Sequence, residues 1–199
     1  MIDYIFSTLG MIHPKIFLVS ILVFFVGYAL APTAYFKNIR ILTVYPMWLS
    51  GKLEEWSKKK WNPYLLFLFL ISMNSLSLFI SLLSGYFIVL PFIFAAWTGL
   101  NIGVVTYHTL KGQLYYAALL NPVAMFELPA AFITFTLAFQ YNFFQMGISI
   151  KGLTETGFIH YIMIFITLVI PLLIIAGIFE TVLIVYSRKF EEKKHDNQE

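Results

Sequence analysis

Glu127 and Glu180 are the only acidic residues inside the apolar stretches of this chain. The other carboxylates (Asp3, Glu54, Glu55, Glu155, Glu191, Glu192, Asp196, Glu199) fall in polar connections or tails. A carboxylate in hydrocarbon costs several kcal/mol unless it is protonated, paired or hydrated. Each of the two therefore marks one of two things: a place that takes up a proton, a cation or an amine, or a hydrogen bond joining two helices.

The elements that must hold these groups follow from composition. With 60% hydrophobic and 12% charged residues among 199, and a mean hydropathy of +0.82, the sequence belongs to a membrane protein. It has no cysteine, which excludes disulfides, thiolate metal sites and cysteine nucleophiles. The net charge of +3 fits basic connections facing an anionic leaflet, so the lipid bilayer is the expected partner and nucleic acid is not.

A span needs about 20 mostly apolar residues. The expected fold is all-α: a single integral membrane domain over residues 1–199, with about five transmembrane helices at 16–34, 63–83, 87–110, 122–141 and 158–186. A short interfacial or re-entrant helix is expected at 113–121, anchored by Tyr115 and Tyr116. Ala29-Leu30-Ala31 mimics a signal-peptide cleavage site, but Pro32, Lys37 and Arg40 follow, and the first span is read as retained. Eleven Lys/Arg fall in 35–62, at Lys111 and in the tail 187–199, against Lys15 and Lys151 on the other side. This asymmetry places the N-terminus outside and the C-terminus inside. The connection 35–62 is then a cytoplasmic loop, and 142–157, with Phe143, Phe144 and Met146, an outer loop resting on the membrane.

Helical rise sets the depths. Glu127 lies roughly 9 Å from the inner end of its span, and Glu180 roughly 12 Å from the same side. Asn74 and Asn101 come nearer the midplane, while Thr106 and His108 sit near the glutamates' level. Ala124, Glu127, Ala131, Thr134 and Ala138 share one helix face. The polar intramembrane site is therefore expected to comprise Glu127, Glu180, Asn74, Asn101, Thr106, His108 and Thr134. Ala95, Gly99, Gly103 and Gly177 are read as close-packing positions. Asn121, Pro122, Pro129 and Pro171 are read as helix breaks around the site.

The run Asn121-Pro-Val-Ala-Met-Phe-Glu-Leu-Pro-Ala130 resembles the central motif of the stage II sporulation protein M family, approximately Pro-His-Gly-x-x-Glu-Leu-Pro-Ala. Pro122, Glu127, Leu128, Pro129 and Ala130 match; Val123 and Ala124 stand in place of the His and Gly. The run Pro171 to Glu180 is similar to the family's last apolar helix, which ends Ala-x-x-x-Glu. Asn74, the Gly99/Gly103 helix and Lys111-Gly112 add a weaker likeness. The resemblance covers about residues 65–186 and implies a shared fold of about five helices with two buried glutamates. The missing His puts in doubt any proton-relay or ligand role that it serves in relatives.

Two functions fit. The first is a membrane scaffold or assembly component, in which the glutamates hold helices together and the basic stretch Lys52–Lys60, with Trp48, Trp56 and Trp61, forms a docking surface. The alternative is a small permease or exporter subunit whose carboxylates bind a proton, a small cation or a cationic substrate. A homo-oligomer or other membrane-protein partners are expected in either case. The sequence carries no His-Glu-x-x-His zinc motif, no Gly-x-Ser-x-Gly elbow and no phosphate-binding loop. No enzymatic activity, catalytic residue, metal or cofactor is therefore expected.

Overall fold

The computed structural model describes residues 7–58, 61–148, 150 and 157–196, and among these every regular element is helical. Proline and asparagine place several helix starts. α1 (Pro14–Phe36) and α3 (Pro63–Leu83) begin with proline, and α4 (Leu90–Leu110) carries Pro91 in its first turn. There the missing N–H costs nothing. Asn62 caps α3 by accepting from the Tyr64 N–H at 2.9 Å. α4 stops where Lys111 and Gly112 turn left-handed, at φ 52° and 77°, and the Gly112 N–H closes onto the Tyr107 carbonyl.

The connection expected to be a cytoplasmic loop contains α2 (Arg40–Lys58), a helix that passes through Pro46. It was missed because its apolar residues are interrupted by charges. Their helical spacing turns Leu42 and Met47 towards Ala31, Leu100 and Val104, while Ile41, Val44 and Trp48 point outward. Its Tyr45 ring lies 6.3 Å from Trp97, well inside α4. α2 thus lies against the bundle. Lys52 pairs with Glu55 at 2.8 Å; Lys59 and Lys60 lie outside the described residues.

α1 and α4 pack without room for side chains. A Cβ on Gly99 would come within 2.0 Å of the Phe24 carbonyl oxygen, and one on Gly27 within 1.8 Å of the Ala96 oxygen. Small residues let the two backbones touch, as they do between helices in lipid. Ala95 and Gly103 belong to the same contact. Gly177 is looser, with the Phe67 ring at an ordinary 3.4 Å.

The segment expected as an interfacial or re-entrant helix is mostly turns, with one 3-10 turn at Ala117–Leu120. Tyr115 is no surface anchor. It is buried, stacks on Tyr28 at 4.4 Å, donates to the Tyr28 carbonyl at 2.6 Å and receives the Tyr28 hydroxyl on its own carbonyl at 2.7 Å. Burial pushes the Tyr115 phenol well above its ordinary value, so it stays a donor.

α5 (Ala124–Gln145) is the central helix, touching α1, α3, α4 and the last helical rod, and every residue from Ala130 to Asn142 is buried. Phe143 and Phe144 belong to it and pack on the core, so they are not loop residues; residues 151–156 lie outside the described ones. Pro129 sits within α5 and does not break it. The rod consists of α6 (Phe158–Ile164), a π-helical turn (Phe165–Val169) and α7 (Ile170–Asp196). Pro171 follows the π turn, which takes up the proline without ending the rod.

Among the described residues, four helices are long and apolar enough to cross a membrane: Pro14–Phe36, Pro63–Tyr86, Leu90–Leu110 and Phe158–Lys189. They expose large apolar side chains outward, including Leu22 and Val26 on α1 and Val182 on α7. α5 does not meet the same measure of apolarity. Sheltered by its neighbours, it can carry Glu127, Thr134, Thr136, Gln140 and Asn142.

Candidate functional site

Glu127 enters from the first turn of α5. Asn121 fixes that turn, its side-chain oxygen accepting from the Ala124 N–H at 2.9 Å. Pro122 precedes the helix, so Asn121 and Pro122 mark its start. From α3, Asn74 donates through Nδ2 to Glu127 Oε1 at 2.7 Å, a charge-assisted length if the carboxyl is ionised. Glu180 comes from α7. The residues preceding the two glutamates, Phe126 and Phe179, stack with ring centroids 5.6 Å apart and an interplanar angle of 10°. That stack brings α5 and α7 together at the glutamates' level.

Both glutamates line one cavity of about 650 Å³, together with Asn74, Asn101 and Thr106. Glu180 Oε2 and Asn101 Oδ1 are themselves buried and have no hydrogen-bond partner among the described residues. Ala118 and Asn121 of the connection before α5 also line it, as do Tyr45 and Leu49 of α2.

Two expected members lie elsewhere. His108 is exposed and meets the Tyr35 hydroxyl through Nδ1 at 3.0 Å, outside the cavity. Thr134 is fully buried and donates to the Ala130 carbonyl one turn back, at 2.8 Å, which satisfies it within its own helix. Conversely, Ser77, Thr98, Thr109 and Tyr45 line the cavity and were not anticipated. A signal existed for three of them. Ser77 is three residues from Asn74, and Thr98, Asn101 and Thr109 lie on one face of α4 beside the glycine ladder. Among the described residues no three His, Cys, Asp or Glu come together to hold a metal ion.

Long apolar helices packed around a half-buried carboxyl pair define a helical membrane protein. The chain belongs to the stage II sporulation protein M family, whose model, described as Stage II sporulation protein M, matches residues 15–183. No curated protein and no solved structure matches it.

Proposed function

We propose that this protein is a multi-pass protein of the cell membrane, a small permease or exporter subunit, that takes up a proton or cation at the Glu127/Glu180 cavity. One observation carries this reading: two carboxyls from different helices line one space of about 650 Å³, and among the described residues Glu180 Oε2 has no hydrogen-bond partner to tie it to a neighbouring helix. If the glutamates only joined helices, their oxygens would be spent on neighbouring donors, as polar groups between spans usually are. The Asn74 bond accounts for Glu127 Oε1 alone. This moves the balance from scaffold to permease. The Lys/Arg distribution supports a cytoplasmic side for the connection that holds Ala118 and Asn121, two of the lining residues. The chain has no phosphate-binding loop, so movement against a gradient would draw on an ion gradient or a partner ATPase.

The test is Glu127→Gln and Glu180→Gln, singly and together, in the full-length protein reconstituted into liposomes. Wild-type flux of protons or cations that the folded variants lose supports the reading. A wild type without flux, with variants that lose only thermal stability, returns the glutamates to a structural role.

A further inference from the structure

Of the helices that line the cavity, α2 is the least embedded. It supplies Tyr45 and Leu49 to the lining, yet among the described residues none of α2 belongs to the main core. Leu42 and Met47 pack instead on a small separate cluster of Ala31, Leu100 and Val104. Two ring contacts carry α2 across the bundle: Tyr45 lies 6.3 Å from Trp97 of α4, and Trp56 lies 5.1 Å from Phe69 of α3. α3 and α4 both line the cavity and scarcely touch each other. α2 therefore links two cavity helices that do not close on one another. An element with so few buried apolar contacts opens at a small fraction of the free energy of global unfolding.

The helix is also weak in the stretch that supplies the lining. Pro46 lies inside it and has no N–H to give the Leu42 carbonyl one turn back. Gly51 follows two residues after Leu49. Nothing lies within 4 Å of where its Cβ would be, and its φ is not left-handed, so neither close packing nor a turn calls for glycine there. Its effect is to loosen the helix. At the other end, α2 leaves α1 through Asn38, left-handed at φ 49°. Resting on the reading of this cavity as an uptake site, we infer that α2 is its lid. The helix swings away from α4 about the Asn38 joint, bends between Pro46 and Gly51, and opens the way to Ser77 and Thr98. The movement breaks the Leu42 and Met47 contacts and leaves the main core intact.

The chain has no cysteine, so Ser77→Cys puts a single thiol in the lining. Its modification is followed in the full-length protein in detergent with N-ethylmaleimide, an uncharged reagent that the carboxyls neither attract nor repel. His108→Cys, exposed and outside the cavity, gives the rate of an open thiol. The Ser77→Cys thiol should react about tenfold or more slowly than that reference. Leu42→Ala trims the contact that holds α2 down and should speed the reaction by about tenfold. Gly51→Ala, whose methyl meets open space, stiffens the helix and should slow it by about fivefold. Neither should change the rate at His108→Cys. If Leu42→Ala does not fold, Gly51→Ala decides alone. A lining thiol that reacts as fast as the reference, that never reacts, or whose rate ignores the α2 substitutions overturns the lid. Glutamate-dependent flux beside such indifferent rates removes the lid and leaves the uptake reading. Rates that follow α2 in a protein without flux do the reverse.

Discussion

The two halves of α5 use polar side chains to opposite ends. Towards its C-terminus, Gln140 donates to the Met11 carbonyl at 3.1 Å and accepts from the His13 N–H at 3.2 Å, tying down the chain that leads into α1. Asn142 donates to the Phe87 carbonyl at 2.7 Å and more weakly to that of Gly85, closing the α3–α4 turn. Among the described residues its Oδ1 has no partner, yet the cavity does not reach it. Ser20 of α1 and Thr136 of α5 bring their hydroxyls to 3.1 Å. Near the N-terminus, Glu127 makes one bond and faces open space. Polarity inside the bundle is therefore not what marks a site. The space beside the polar group is, and in the C-terminal half that space is filled by backbone.

This contrast can be broken most forcefully at Gly85. A Cβ there would come within 2.8 Å of the Ala138 carbonyl oxygen, so Gly85→Leu should wedge the closed half apart. The expected cost is about 3 kcal/mol, read as a collapsed yield or a sharply lowered thermal midpoint. Gln140→Leu leaves the Met11 carbonyl and His13 N–H without their clasp. It should cost about 1–3 kcal/mol in thermal unfolding while leaving flux per folded molecule unchanged. In the open half the pattern should invert. Glu127→Gln keeps an oxygen to accept from Asn74, so stability should stay within about 1 kcal/mol of wild type, yet flux should fall by about tenfold or more. The smallest effect is expected at His108→Gln, an exposed group outside the cavity. There both stability, to within about 0.5 kcal/mol, and flux should match wild type. Loss of flux in this variant would place His108 in the site after all.

Much of this was legible in the residues, for physical reasons. Four of the five expected spans are long, apolar helices because lipid leaves the backbone little else to do. Glu127 and Glu180 declared themselves because a carboxyl in an apolar run is costly enough to be rare. Asn74 and Asn101 followed from depth alone. Serine and threonine gave a weaker signal, since they can satisfy themselves on their own helix, as Thr134 does, and only tertiary packing separates Ser77 and Thr98 from it. His108 misled because depth says nothing about which way a side chain faces. α2 escaped notice for a related reason. A helix that meets the bundle along one stripe needs only a few apolar residues, and its charges disguise them. The turn segment around Tyr115 depends on a reciprocal pair of bonds with Tyr28 that no local pattern announces.

The π turn in the last rod bears on how the chain tolerates changes of length. The Ile170 N–H reaches back five residues to the Phe165 carbonyl, so this turn holds one residue more than an α-helix needs. Loss of one residue between Phe165 and Val169 would close it to an ordinary turn and leave the stretches on either side facing as they do now. A deletion one turn later, between the proline and Glu180, would rotate the carboxyl by about 100° off the cavity. Natural length variation in this helix should therefore collect in the π turn and be scarce beyond it.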